Sequence, residues 1–385
     1  MSDRGLSRRS FLAVAGSVGS AFALGCYSPS TVATPGAAEP TATAAAFEPN
    51  AYVAINADGT ISITIAKSDM GQGVRTSLAM AVAEDLDADW SKVKVVNADG
   101  DSRKYGGQGT GGSSSSRSMH QRMRQMGAAA RAMLVGAAAK SWYVAPDQCK
   151  TEKGRVIHPD GKTTLSYSSL AGQAAGIPVP ADKDIKLKDA SQFKILGKPT
   201  LRVDNVPVAK GEAVYGIDVK VPGMVYASLV RPPTLGGSVE SFDATEAKKI
   251  AGVLDVVQIR SGVAIIGTNT WATIKAREAL KVKWNSGPNT KVSSDTIRES
   301  MKKSLGSHPE TPAGSKVINA TFDLPYLAHS TMEPMNAVAS VTADGCEIWC
   351  GSQSPDGARG QAAQALGIPA EKVTVHLTLL GGGFG

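Results

Sequence analysis

The chain has 385 residues, of which 42% are hydrophobic and 19% charged, and its formal net charge is +7. This length predicts two or three domains, and the 41 glycines with only 5% aromatic residues favour a loop-rich α+β or α/β globular protein over a coiled coil or a membrane bundle. Lys and Arg are scattered, with RSMHQRMRQ as their densest patch. The sequence therefore argues against a nucleic-acid partner.

The N-terminus carries a predicted export signal. The stretch SRRSFLAVAGSVGSAFALGC joins the twin arginines Arg8 and Arg9 to a mildly apolar run, which is the pattern of a twin-arginine signal peptide. This run is too short and too rich in glycine to favour a membrane span. The sequence ALGC, which ends at Cys26, loosely resembles a lipoprotein cleavage site and leaves lipid anchoring open. We expect residues 1–48 to be signal peptide and linker, and the protein to be periplasmic.

The first predicted domain covers residues 49–205. AYVAINADGTISITIAKSDMGQG predicts a strand, a turn at Asp58-Gly59, and a second strand with Ile61, Ile63 and Ile65 on one face. The loop MGQG then leads into a helix, VRTSLAMAVAEDL, and a strand, KVKVVNADGD. This order places the loop at a helix N-terminus, where free backbone amides favour a phosphate or another electron-rich ligand.

A second glycine- and serine-rich segment, YGGQGTGGSSSSR, opens a long helix predicted from about Arg117 to Trp142. One face of this helix carries a stripe that we interpret as core packing: Met119, Met123, Met126, Met133 and Leu134. Another face carries arginines that we expect to be solvated: Arg117, Arg124 and Arg131. Residues 143–205 are mixed and rich in turns.

Residues 206–290 are predicted to form a compact α+β domain of strands, a short helix, two strands, a helix and a strand. Residues 291–385 begin with a polar connection that contains one helix. They continue with predicted strands at KVINATFDLPY, EIWCGSQ and KVTVHLTLL, and with a helix at PDGARGQAAQALG.

The four cysteines form no C-x-x-C pair, so the sequence predicts neither a zinc site nor an iron–sulfur cluster. Cys346 and Cys350 lie in GCEIWCGSQ, and four residues of a straight strand span about 13 Å, which is too far for a disulfide. We interpret both as small apolar core residues.

Each of the three glycine loops follows a predicted strand or opens a helix, although any one of them could be only a tight turn. The last loop, GGGFG, holds an aromatic ring, which if buried could line a pocket. Neither G-x-x-x-x-G-K nor a G-x-G-x-x-G after an early strand is present, which argues against nucleotide sites of the P-loop or Rossmann kind.

Together these stretches resemble a known family. MGQGVRTSLAMAVAEDLDADWSKVKV, with GTGGSSSSR after it, is similar to the molybdopterin-binding subunit of the xanthine dehydrogenase/aldehyde oxidase family, in the branch of the isoquinoline 1-oxidoreductase beta chains. GEAVYGIDVKVPGMVYASLVRPP resembles the start of that family's α/β hammerhead domain. LAHSTMEPMNAVA, WCGSQSPDGARGQAAQALG and LLGGGFG resemble its main molybdopterin-binding domain.

The resemblance implies an α+β fold in which molybdopterin-binding segments flank a hammerhead domain, with the last domain cut short. It also implies a molybdopterin cofactor, expected in the cytosine dinucleotide form. Gln353 matches the glutamine that approaches molybdenum. The cofactor-binding residues implied by the match are Gln353, Gly382, Gly383, Phe384, Gly385, Gly71, Gln72, Gly73, Thr110, Gly111, Gly112 and Ser113.

The implied reaction is hydroxylation of an N-heterocycle or aldehyde carbon with oxygen from water, assisted by a glutamate as general base. Electrons would pass to a small [2Fe–2S] subunit and onward to a cytochrome c. The family's glutamate lies beyond residue 385, so we assign no catalytic residue and no protein metal ligand. We interpret Glu333 and His329 as structural residues.

We therefore expect the chain to be the N-terminal half of the subunit, or one part of a split subunit, and to be inactive alone. The alternative is a non-catalytic periplasmic binding or assembly module that kept the fold.

Overall fold

The structure, a computed structural model, describes residues 21–25, 45–306 and 310–384. Their backbone divides into a large unit, formed by Ser20–Val225 with Thr331–Gly385, and a small unit that contains Tyr226–Ser330. Most of the predicted export signal, including Cys26, lies outside the described residues, although Ala21–Gly25 forms a first strand, β1. Among the helices that the structure describes, none has the length and apolarity needed to cross a bilayer.

A four-stranded sheet opens the large unit, with its strands in sequence order: β2 (Ala45–Asn50), β3 (Val53–Asn56), β4 (Ile61–Ile65) and β5 (Val93–Asn97). Strands β3 and β4 are antiparallel and joined at Asp58-Gly59, where the Asp58 carboxylate accepts a hydrogen bond from the Thr60 amide at 2.9 Å. The side chains of Ile61, Ile63 and Ile65 are buried, as their spacing predicts.

Two helices cover this sheet. Helix α1 (Val74–Leu86) connects the parallel strands β4 and β5, and the short α2 (Ser102–Tyr105) precedes the long α3 (Ser115–Trp142). The predicted stripe on α3 is core: Met119, Met123, Met133 and Leu134 are buried, and Met126 is partly buried.

Helices α1 and α3 approach so closely that no side chain fits at one point. A Cβ atom on Gly127 of α3 would lie 2.3 Å from the Val82 carbonyl oxygen of α1. This glycine therefore sets the distance between the helices.

Residues 143–210 contain small elements, of which the first two strands and the first helix contact α3. They are β6 (Lys150–Glu152), β7 (Arg155–Ile157), β8 (Thr164–Ser166), α4 (Tyr167–Ala174) and α5 (Asn205–Lys210). Strands β6, β7 and β8 form an antiparallel sheet.

The expectation that the α3 arginines are solvated holds for Arg117, which is exposed, but is wrong for Arg124 and Arg131. Arg124 Nε lies 2.6 Å from the fully buried Asp85 carboxylate, and Arg131 lies 3.4 Å from Asp87. These carboxylates belong to the end of α1, where only the fold brings them opposite α3.

Glu84 is fully buried and fixes the segment that follows α4. One carboxylate oxygen accepts hydrogen bonds from the amides of Lys194, Ile195 and Leu196 at 2.6–2.9 Å, and the other lies 3.0 Å from Lys188 Nζ. Burial acts to raise the pKa of Glu84, but these amides and the Lys188 charge outweigh it and lower the pKa.

The small unit has the element order that the sequence predicts. Its strands are β9 (Met224–Val230), which begins in the large unit, β10 (Ser238–Asp243), β11 (Val253–Ile259), β12 (Gly262–Gly267) and β13 (Lys281–Asn285), and its helices are α6 (Thr270–Ala279) and α7 (Ser294–Ser304). Strands β11, β12 and β9 form an antiparallel sheet, and β10 pairs with β13. The core between these elements contains Ala247, Val256, Val263, Ile265 and Ala276.

The last part of the large unit is a second sheet that comprises β1, β14 (Asn336–Val341), β15 (Cys346–Cys350) and β16 (Val373–Leu377), with α8 (Pro355–Leu366) between β15 and β16. Cys346 and Cys350 are buried and free, as expected. The strand predicted at KVINATFDLPY is wrong, because these residues form no regular element, and the prediction missed β14.

Polar contacts join this second sheet to the end of β5. The Asn97 side chain donates to the Leu377 carbonyl at 2.9 Å, and the Gly100 amide donates to the Val375 carbonyl at the same distance. Arg359 of α8 pairs with Asp101 at 3.0 Å. The predicted segment 49–205 thus meets residues 331–385 in the large unit, whereas residues 291–330, predicted as part of the same last domain, belong to the small unit.

We expect Gly127→Ala to lower the free energy of unfolding by about 1–3 kcal/mol, because the added methyl group forces α1 and α3 apart. Urea denaturation measures this change. Gly172→Ala in α4 is the matched control, since its Cβ would meet nothing within 4 Å. The control should be neutral or slightly stabilising, and an equal loss in both variants would contradict the packing argument.

We expect Glu84→Gln to destabilise the large unit at pH 7 by about 3 kcal/mol, because it leaves Lys188 and three backbone amides poorly paired. Since the pKa of Glu84 is lowered on folding, its contribution is complete above about pH 4.3, the usual value for a glutamate, and is lost as the pH falls through the lower folded value. The urea midpoints of wild type and variant should therefore approach each other as the pH falls below this value. Glu152→Gln, at an exposed ion pair with Lys194, should leave the midpoint unchanged.

Candidate functional site

The loop MGQG, residues 70–73, is held from within by a buried carboxylate. Asp69 accepts hydrogen bonds from the amides of Gly71 at 2.8 Å, Gly73 at 3.4 Å and Arg75 at 3.0 Å. The predicted free amides of this helix N-terminus are therefore wrong for Gly71 and Gly73, because the chain supplies its own anion. Asp69 is not the N-cap residue of this helix, which is Gly73, so the usual N-cap pattern does not point to it.

The Gln72 side chain forms hydrogen bonds with the backbone at and just before the loop. Its side-chain oxygen accepts from the Met70 amide at 2.7 Å, and its nitrogen donates to the Ser68 carbonyl at 2.9 Å. Gly71 and Gly73 have φ angles of 105° and 80°, which favour glycine in this tight turn.

The second glycine segment is tied to the end of β4. Buried Lys67 donates from Nζ to the carbonyls of Gly107 and Gly109, both at 2.8 Å, and the Ser68 amide donates to Thr110 Oγ1 at 2.9 Å. Burial lowers the pKa of Lys67, and nearby Asp356 opposes that shift.

Thr110 and Gln353 meet, although 243 residues separate them. The Thr110 amide donates to the Gln353 carbonyl, and the Gln353 side-chain nitrogen donates to the Thr110 carbonyl, each at 2.8 Å. Ser68 Oγ donates to the Ser352 carbonyl at 2.6 Å beside them. The structure thus joins two of the predicted cofactor segments through their own backbones.

The closing glycine loop is held by Glu333. One carboxylate oxygen of Glu333 accepts from the Gly381 amide at 2.7 Å, and the other accepts from the Ile217 amide at 3.0 Å and from Asn336 Nδ2 at 2.8 Å. The Glu333 amide returns a hydrogen bond to the Gly381 carbonyl at 3.1 Å. These contacts agree with the interpretation of Glu333 as a structural carboxylate.

The glycines of this loop make room for the protein itself. A Cβ on Gly381 would lie 2.4 Å from Glu333 Cβ, and a Cβ on Gly383 would lie 2.0 Å from Met70 Sδ and 3.1 Å from Gln353 Oε1. Gly383 therefore lies against both the MGQG loop and Gln353.

The ring of Phe384 is not buried. Its side chain is 66% exposed, and its φ of 86° is uncommon for a bulky residue. Gly385 lies outside the described residues, and His329 is exposed.

The donors that remain are backbone amides. Within the described part of the chain, the amides of Gly111, Gly112, Ser113, Gly382 and Gly383 have no hydrogen-bond partner. The first three precede α3, whose first turn contains no acidic residue, and Cβ atoms on Gly111 and Gly112 would meet nothing within 4 Å. Open amides at the N-terminus of a 28-residue helix suit an anionic group such as a cofactor phosphate.

Comparison with known proteins gives this site a family. The chain matches the family described as molybdopterin cofactor-binding domain over residues 15–212 and again, through a second domain with that description, over residues 292–385. The two matches contain all four loops described above. The chain belongs to the molybdopterin-binding subunits of the xanthine dehydrogenase/aldehyde oxidase family.

Curated relatives agree. The chain is 34% identical to the beta chain of isoquinoline 1-oxidoreductase from Brevundimonas diminuta, over 99% of this chain and 56% of the relative. It is 33% identical to membrane-bound aldehyde dehydrogenase (pyrroloquinoline-quinone) of Gluconacetobacter polyoxogenes, over 88% and 47%. It is 28% identical to a subunit of nicotinate dehydrogenase from Pseudomonas putida, over 84% and 29%. The chain thus spans about half or less of the length of these relatives.

We expect Glu333→Gln to loosen the closing loop, because the single oxygen of Gln accepts two hydrogen bonds when it faces Ile217 and Asn336, and its NH2 group, which cannot accept, then faces the Gly381 amide. The free energy of unfolding should fall by about 1–3 kcal/mol, and the Gly381 amide should exchange its hydrogen faster. Urea denaturation and hydrogen exchange followed by NMR measure both effects. Glu371→Gln, at an exposed pair with Arg103, should change neither. Unchanged Gly381 exchange in Glu333→Gln would contradict the assigned role.

Proposed function

We propose that this chain is the molybdopterin-binding part of a molybdenum hydroxylase that hydroxylates an N-heterocycle or aldehyde carbon with oxygen from water. The observation that carries the proposal is the meeting of Thr110 with Gln353, since it joins the two segments that match the molybdopterin-binding family. The names of the relatives support an oxidoreductase, because they refer to isoquinoline, aldehydes or nicotinate.

Bound molybdopterin would supply the redox chemistry, and the residues of this chain would hold it. The amides of Gly111, Gly112 and Ser113 would receive its anionic part, in the cytosine dinucleotide form of the cofactor. Gln353 and the 382–384 loop would lie toward the metal. The MGQG loop would act through its shape, because its amides are engaged by Asp69.

The acid–base work is assigned outside this chain. The Glu333 carboxylate accepts three hydrogen bonds from donors of this chain. It is therefore poorly suited to accept a proton from substrate or water. We therefore propose that this chain is inactive alone and needs a polypeptide that carries the general base. Electrons would pass to a [2Fe–2S] subunit and then to a cytochrome c. The twin-arginine pattern at Arg8 and Arg9 supports export to the periplasm as a folded, cofactor-loaded protein.

The proposal predicts that the chain, purified from a host that makes molybdopterin, retains pterin and molybdenum. Gly111→Asp should lower the retained pterin about tenfold, or about 1.4 kcal/mol, because it places a negative charge beside the open amides without a steric clash. Gly111→Asn, which has the same shape and no charge, should retain pterin. Fluorescence of the oxidised pterin and metal analysis provide the measurement.

Absence of pterin and molybdenum from the wild-type protein would refute the cofactor site in this chain. Equal losses in the two Gly111 variants would show that shape, and not charge, governs retention, and would contradict the assignment of an anionic group to these amides.

A further inference from the structure

The small unit carries a stretch of apolar side chains that face solvent. Between residues 317 and 327, which we call the apolar segment, six large hydrophobic side chains are 58–88% exposed: Val317, Ile318, Phe322, Leu324, Tyr326 and Leu327. Such density in eleven residues is unusual, because exposed hydrophobic side chains on a protein surface are normally scattered singly. A contiguous exposed group of this kind marks an interaction surface.

The backbone of the apolar segment is open as well. Within the described residues, no backbone–backbone hydrogen bond involves residues 317–327, and these residues belong to no helix or strand. Unpaired amides and carbonyls lie beside apolar side chains, so whatever covers the side chains must also supply hydrogen bonds. A lipid surface cannot do this, whereas another polypeptide can.

One side chain of the apolar segment is anchored to its own unit. Asp323 forms an ion pair with Arg298 of α7, and Arg298 also pairs with Asp295 at 2.6 Å. The hydrophobic neighbours of Asp323 in the chain, Phe322 and Leu324, remain 88% and 85% exposed although Asp323 is held by this pair.

We propose that the apolar segment is the docking surface for the polypeptide that makes up the rest of the molybdopterin-binding subunit. The chain spans 56% of its Brevundimonas diminuta relative, so a polypeptide with hydrophobic side chains and backbone groups to pair is available in the remainder of such a subunit. This inference rests on the proposed function, because it gives the partner that would complete the same subunit.

The test uses the full 385-residue chain and, as probe, the part of the Brevundimonas diminuta relative that the match leaves uncovered, produced as a separate polypeptide. We expect the two to bind, with residues 317–327 gaining protection in hydrogen exchange read by mass spectrometry. Leu324→Asp, at an 85% exposed position, should weaken binding at least tenfold. Leu235→Asp, at an 87% exposed position in the same unit, is the matched control and should bind as wild type does.

Circular dichroism and thermal unfolding should be unchanged in both variants, since neither side chain is buried. The proposal is overturned if no binding occurs, if the two variants weaken binding equally, or if protection appears elsewhere but not at 317–327. It is also overturned if sedimentation shows that this chain forms a dimer and that Leu324→Asp makes it monomeric. A second copy of the chain would then be what covers the apolar segment.

The outcome is separable from that of the cofactor proposal. If the chain binds the probe but retains no pterin, only the proposed function is refuted. If the chain retains pterin but does not bind the probe, only the docking surface is refuted.

Discussion

The candidate site depends on the reciprocal pair of hydrogen bonds by which Thr110 and Gln353 join two of its loops. Both residues lie in glycine-rich loops that have no sheet or helix to satisfy their backbone groups, and each supplies what the other lacks. Ser68 binds Thr110 on one side and the Ser352 carbonyl on the other, so the end of β4 is fixed to both loops at once. The remaining loops of the site are positioned relative to this junction.

Carboxylates hold those loops in the same way. Asp69 accepts hydrogen bonds from amides of the MGQG turn, and Glu333 accepts one from the amide of Gly381. Glu84 accepts hydrogen bonds from three amides of the segment after α4. A carboxylate that accepts hydrogen bonds from several backbone amides is well solvated by the protein. Its lone pairs are directed at the chain rather than at a ligand. These three carboxylates therefore make structural contacts, and the amides without a hydrogen-bond partner in the described loops include those of residues 111–113 and of Gly382 and Gly383. This distribution favours an anionic ligand.

The open amides and the apolar segment belong to different units and require different partners. The amides can be satisfied by a small anionic group, because they need only acceptors. The apolar segment needs hydrophobic contact and backbone pairing together, which a polypeptide provides. A subunit of the xanthine dehydrogenase/aldehyde oxidase family would meet both needs, with its cofactor at the first surface and the rest of its chain at the second.

Local patterns in the sequence determined much of this protein. The alternation of isoleucines predicted β4, the periodic residues of VRTSLAMAVAEDL predicted α1, and the motifs of the glycine loops indicated the family, because each of these depends on residues close together in the chain. Only the tertiary structure decided that Asp69 fills the helix N-terminus predicted to be open, that Arg124 pairs with buried Asp85, and that Phe384 is exposed. It also decided that Thr110 meets Gln353. These outcomes depend on groups that come together only when the chain folds. The residues next to a polar group in the sequence do not show which distant group will form its hydrogen bond or ion pair.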